Sequence, residues 1–270
     1  MKRILAAAVM ICTVMLSLCG CSAGFVNGSV IRYDNADKYT AGDREITDKI
    51  DRLDIDWVSG SVNVTSGGST VIIKETTKGR LDDKYKVHTW AEGSTLHVRF
   101  CKSGERYSGE EAKTLEITVP EGVIFESIKA DAASADIKIE GVSSKKAVMD
   151  SSSGNMTYNG DAESFSCDTS SGNIGFSGKA ADIKADSSSG DIFIDQAGDA
   201  KSISVDTSSG DVKLYMPQDY GFTAKISTTS GNISYDLPLT KSGDETYTFL
   251  NGENELDIDT SSGNVKILGK

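Results

Sequence analysis

Little in this 270-residue chain favours a helix, a disulfide scaffold or a basic partner. Proline occurs three times, aromatic residues make up 7% of the chain, and no window carries useful helical periodicity. Histidine occurs only twice, at His88 and His97. Neither lies among the serine-rich repeats described below, so those serines lack a general base to activate them. Of five cysteines, Cys12, Cys19 and Cys21 fall at the N-terminus and only Cys101 and Cys167 lie in the body. An oxidising compartment would permit a disulfide between them. The phase of the pattern argues for two separate thiols, because Cys167 holds an inward strand position while Cys101 runs out of phase with Leu96, Val98 and Phe100. Basic clusters are missing as well. Lys145-Lys146 is the one adjacent basic pair beyond the N-terminal segment, and it reads as ordinary solvated surface.

The single long apolar run, Ile4 to Leu18, follows Lys2-Arg3 and is short and early for a membrane span. It ends in Leu18-Cys19-Gly20-Cys21, which resembles the lipobox of bacterial lipoproteins. By that resemblance residues 1–20 are a lipoprotein signal peptide and Cys21 becomes the lipidated N-terminus; an ordinary secretory signal cut nearby is the alternative. Each buried methylene contributes ~0.8 kcal/mol, so several acyl chains are needed for a stable anchor. The expected location is the outer face of the bacterial cell membrane. Without Lys2 and Arg3 the chain keeps 26 basic residues against 40 acidic ones, a net charge of −14. Such a surface disfavours nucleic acid and anionic headgroups, and suits cationic partners and divalent metals.

The body is governed by a repeat. Asp-Ser/Thr-Ser-Ser-Gly occurs at residues 150–154, 168–172, 186–190, 206–210 and 259–263, with a weaker copy at 227–231. Asp131-Ala-Ala-Ser-Ala135 and Trp57-Val-Ser-Gly60 are divergent members. From Ala135 onward the fifth positions are spaced 19, 18, 18, 20, 21 and 32 residues apart, and the 32 reads as an insertion of about a dozen residues in one coil. Apolar residues alternate on both sides of each turn, as in Phe165/Cys167 before it and Ile174/Phe176 after it. A period of two marks strands with one buried face.

Local chemistry explains the corner. Asp, Ser and Thr side chains bond backbone groups two residues on, and Gly154, Gly172, Gly190, Gly210, Gly231 and Gly263 would supply a positive-φ corner. A repeat this short cannot bury its own apolar face, so coils must stack with parallel strands ~4.8 Å apart. The expected fold is all-β, a right-handed parallel β-helix of about eight coils. A β-sandwich of hairpins is the alternative, disfavoured because every turn has the same phase relative to its strands. Residues 21–46 read as a polar tether, 47–125 as an irregular capping region and 126–270 as regular repeats.

The segment Ile50 to Val64, followed by tandem Ser-Ser-Gly-Asn/Asp units, resembles a bacterial "putative adhesin" family of unknown function over roughly residues 45–268. The resemblance implies a right-handed β-helical envelope protein, often membrane-anchored, with no catalytic residues. It also implies a setting near envelope-stress signalling systems for some relatives. Two functions follow: a non-catalytic, lipid-anchored surface adhesin binding an unknown surface protein or polysaccharide, and an envelope scaffold or accessory in stress sensing.

Stacking would gather Asp150, Asp168, Asp186 and Asp206 in one column and Asn155, Asn173, Asp191, Asp211, Asn232 and Asn264 in a second. Unit charges ~4.8 Å apart repel by ~1 kcal/mol in water and ~3.5 kcal/mol at an effective dielectric of 20. Either the corner hydroxyls and backbone N–H groups satisfy the carboxylates in a solvated column, or the acidic corner holds Ca²⁺ through Asp150, Asp168, Asp186, Asp206, Asp191 and Asp211. No other cofactor is expected. The two histidines read as exposed strand residues, Trp57 and Trp90 as cap or core, and Tyr158, Phe176, Tyr215 and Tyr235 mostly as interior stack.

Overall fold

The computed structural model describes residues 30–106, 112–198 and 200–270. Among them the regular structure is strand, apart from one 3₁₀ turn at Asp83–Tyr85. Alternation sets the strands as expected: Ala162–Thr169 buries Phe165, Cys167 and Thr169 and turns Asp168 outward.

The strands form two facing parallel stacks. In the first, Thr95–Arg99 pairs with the start of Arg52–Ser66, and that with the start of Ile124–Glu140. Ser143–Ser151, Ala162–Thr169, Ala180–Ser187 and Ser202–Thr207 follow in register. In the second, Lys113–Val119 pairs with the end of Arg52–Ser66, then come the end of Ile124–Glu140, Met156–Asn159, Ile174–Gly178, Ile192–Gln196 and Val212–Met216. This is a solenoid built on parallel pairing, the feature a sandwich of hairpins lacks. The core lies between the stacks. There Phe165 meets Tyr158 and Phe176 at centroid distances of 5.6 and 4.8 Å, while buried Ala147 stands in register with Phe165 and buried Ala185 with Cys167. Each fully buried Ile, Leu or Phe stabilises by about 1.5–3 kcal/mol relative to leaving it in water.

The far end departs from the sequence order. The extra residues of the 32-residue spacing form an antiparallel strand pair, and the level that follows them does not stack in sequence order. Asn254–Thr260 and Val265–Gly269 slot between the 202–216 level and the strands Phe222–Thr228 and Ile233–Tyr235, which lie outermost. The antiparallel strands Thr246–Phe249 and Thr240–Ser242 then cover Phe222–Thr228. At this end Tyr235 is 41% exposed, and Tyr215 is half-buried, so neither joins the interior stack as Tyr158 and Phe176 do.

At the near end Val71–Thr76 and His88–Glu92 pair antiparallel with the outermost parallel strands and cap them, while Arg52–Ser66, in the stretch read as irregular, is itself a level of the parallel stack. Of the stretch read as a tether, the described part is built into this cap. Thr40–Ala41 pairs with His88–Glu92, Arg44–Ile46 pairs with Val71–Thr76, and Ile31 and Ile46 are buried. That extra strand layer encloses His88, which was expected to be exposed but is buried with Nδ1 2.9 Å from the Lys86 carbonyl. Cys101 is buried too, since the chain turns after Arg99 and Phe100 N–H bonds Asp56 O at 3.1 Å. Cys101 and Cys167 are not bonded to each other.

Candidate functional site

Register puts the acidic residues in line. Asp56 lies beside Asp131, Asp131 beside Asp150, and Asp168, Asp186, Asp206 and Asp259 continue the row, which ends at Ser227. The sequence-predicted column of Asp150, Asp168, Asp186 and Asp206 therefore forms, and it is longer than expected at both ends.

The corner hydroxyls do not serve it. Ser151, Thr169, Ser187, Thr207 and Thr260 point inward and are buried. Each accepts the N–H of the motif glycine three residues on, at 2.8–3.1 Å. Those glycines are not at positive φ, contrary to the expectation for Gly154, Gly172, Gly190, Gly210, Gly231 and Gly263. The reason for glycine is close approach: a Cβ on any of them would lie 1.8–1.9 Å from a carbonyl oxygen of the neighbouring level. Among the motif glycines the divergent Gly60 alone combines the two demands, at φ +94° and with a Cβ 2.1 Å from the Lys113 oxygen.

The second column is a ladder of its own. Asp191 Oδ1 accepts the N–H of Asp211 at 2.9 Å, Asp211 Oδ1 accepts that of Asn264 at 2.7 Å, and Asp136, Asn155, Asn173 and Asn264 repeat the bond. Asp191 and Asp211 are thus committed to the backbone, apart from the first column. Among the described residues no group of three or more His, Cys, Asp or Glu side chains is arranged to hold a metal ion. Cys21 lies outside the described residues.

Lysines two positions earlier on the same strand offset the first column at two levels, with Lys129 Nζ and Lys184 Nζ each 2.5 Å from Asp131 and Asp186. The column is exposed along most of its length but dives into the molecule at the cap. Burial, then repulsion from Asp131 and Asp168, pushes Asp150 up to about 6. Burial, against Arg99 and reinforced by Asp131 and Asp54, pushes Asp56 up to about 7. Burial and column neighbours also raise Asp168 and Asp206.

Asp56 and Asp131 line a cleft of about 400 Å³ at that end, walled by Tyr33, Tyr39, Trp90 and His97. The extended strand Arg52–Ser66 supplies Asp54 and Asp56 on one face because they alternate with buried Leu53 and Ile55. Arg99 Nη2 bonds Asp54 Oδ2 at 2.6 Å and Nη1 bonds the Asp54 carbonyl at 2.8 Å. The guanidinium lies over Tyr33 and Tyr39, 5.5 and 5.8 Å from their centroids. His97 Nδ1 meets the same Asp54 Oδ2 at 2.7 Å, and its ring stacks on Trp90 at 5.1 Å and 22°. Burial alone would raise the Asp54 carboxyl; Arg99 and His97 outweigh it and hold Asp54 below the usual carboxylate range.

Family models place this architecture among known chains, matching residues 50–182 and 159–268. The chain belongs to the Toastrack DUF4097 family. Three solved structures resemble this Toastrack chain. A "putative cell adhesion protein" from Clostridium sporogenes shares 12% identity, covers 86% of this chain and 100% of its own, and has a TM-score of 0.40. A "putative adhesin" from Bacteroides fragilis shares 14%, covers 84% and 96%, and scores 0.40. A "putative lipid binding protein" from Parabacteroides distasonis shares 17%, covers 86% and 97%, and scores 0.43. No curated protein matches the chain.

The sequence alone does not reveal the cleft or its residues Tyr33, Tyr39, Asp54, Asp56 and Arg99, and it marks Trp90 as cap or core rather than as a ligand platform. One signal was present: Asp56 stands four residues before Gly60, the slot Asp150 holds before Gly154.

Proposed function

We propose that this Toastrack protein is a non-catalytic, lipid-anchored surface-binding protein that engages its ligand at the cap cleft. The reading includes an anchor at Cys21 on the outer face of the membrane, and a right-handed stack of about eight coils that holds the cleft rigidly. The observation that carries it is the cleft itself: an aromatic-walled recess in which Arg99 and Lys129 are already paired by Asp54 and Asp131. Its lining holds no Ser, Thr or Cys nucleophile, and the one imidazole is tied to Asp54. That inventory suits recognition, with aromatic surface for contact and pre-set polar groups for orientation.

The test is retention at the cell surface. Cells displaying the full chain are compared with cells displaying Trp90→Ala on purified host matrix protein and on isolated envelope polysaccharide. Retention by the parent and its loss in the variant support the reading; equal retention by both, or none by either, overturns it. Release of the chain into the medium by Cys21→Ala is the expected result for the anchor.

A further inference from the structure

The ligand chemistry can be read from which polar atoms of the cleft lack partners. Five buried side-chain atoms among the described residues have no hydrogen-bond partner, and three of them, Tyr33 Oη, His97 Nε2 and Asp131 Oδ1, belong to cleft-lining residues. A buried polar atom without a partner forfeits its bond to water, so three around one recess mark a place where a ligand completes the bonding.

Asp131 Oδ1 and Tyr33 Oη can accept. Asp131 gives Oδ2 to Lys129 and keeps Oδ1. His97 Nδ1 lies 2.7 Å from Asp54 Oδ2, the carboxylate oxygen that Arg99 also bonds, and its Nε2 faces Glu92 Oε2 at 3.8 Å, beyond a hydrogen bond. A phenol hydroxyl accepts or donates. Asp56 adds a carboxylate that no side-chain cation of the described residues bonds directly. The lining carries Asp34, Asp54, Asp56, Glu92 and Asp131 against Arg32, Arg99 and Lys129, an excess of negative charge. What is missing is a cation that brings several N–H donors. Aromatic walls favour an organic cation over a hydrated ion, because Trp and Tyr faces attract ammonium groups and the attached methylenes. Trp90 and Tyr39 provide such walls, with centroids 5.7 Å apart in edge-to-face contact.

We infer that the cleft is a receptor for a primary alkylammonium group, with Asp56 and Asp131 Oδ1 as acceptors and Trp90 and Tyr39 as walls. The inference rests on the surface-binding reading above and names the ligand class of the same cleft.

Calorimetry on the full chain at neutral pH and low salt tests it, with 1,5-diaminopentane as the probe and choline, glucose and Ca²⁺ in parallel. Saturable binding of the diamine is expected. Asp56→Asn and Trp90→Ala should each weaken it roughly tenfold or more, the loss of one charge-assisted bond or one aromatic wall. Choline, which has no N–H, should bind more weakly, and glucose should not compete. Thermal melts of both variants establish that they are folded, and Asp186→Asn, halfway along the exposed column, should leave binding unchanged. Absence of diamine binding overturns the inference, as does Ca²⁺ binding of equal strength, or equal weakening by Asp186→Asn. If the diamine fails while surface retention still depends on Trp90, the ligand class is wrong and the surface-binding reading stands.

Discussion

The turn motif repeats because each of its positions meets the same position in the next level. Glycine is required by backbone proximity, so Gly190→Ala, whose Cβ would fall 1.8 Å from the Gly172 oxygen, is expected to cost about 3 kcal/mol. In thermal denaturation that is a fall of roughly 5–10 °C. Gly79→Ala, with open space around it and no positive φ, should melt within about a degree of the parent. The buried hydroxyl is a second test. Thr207 accepts the Gly210 N–H at 3.1 Å and donates to the Gly190 carbonyl at 3.3 Å. Thr207→Val keeps the volume but strands both groups, and an expected loss of about 1–3 kcal/mol would show as a lower urea midpoint. Thr207→Ser, which keeps the hydroxyl, should recover most of it.

At the level of strands, period-two alternation and the phase of the turns were enough to read parallel stacking and to set Phe165, Cys167, Ile174 and Phe176 inside. They could not show the order of the levels, because identical repeats pair equally well with any neighbour of the same register. The 254–269 strands could therefore take the place that spacing assigned to 222–235. The cleft was hidden for a different reason: Tyr33, Tyr39 and Trp90 come from antiparallel cap segments whose partners lie up to about 70 residues away, as in the Tyr33–Ser103 bond. The displaced level has a testable consequence. Ile258 is fully buried between Val205 and Ile226. Ile258→Asp should destabilise by several kcal/mol and broaden the urea transition. Ile233→Asp, on the partly covered outermost strand, should cost visibly less. Equal effects would contradict the inserted order.

For the whole molecule, the acidic column makes stability depend on pH. Asp56 at about 7 and Asp150 at about 6 bind their protons more tightly in the folded chain than in the unfolded one, where a carboxyl titrates near 3.9. Their contribution is present in full below that value and fades as pH rises through 6 and 7. The melting temperature should therefore fall between pH 5 and pH 8. In the Asp56→Asn/Asp150→Asn double variant this fall should shrink, with higher stability than the parent at pH 8. A fall as steep as the parent's would exclude these two residues as its source.

The inserted level also bears on assembly in time. Residues 222–235 emerge from the ribosome before 254–269, yet they can find their final neighbours only after those later strands are available. A chain folding from its N-terminal end could close the stack level by level as far as 202–216, and would then have to wait. Until residues 254–269 arrive, the edge of Ser202–Thr207 lacks its final partner, so synthesis of the last strands and completion of the far end are coupled steps. A stalled or clipped chain would be marked by an unpaired strand edge, the feature that quality-control proteases and aggregation both exploit.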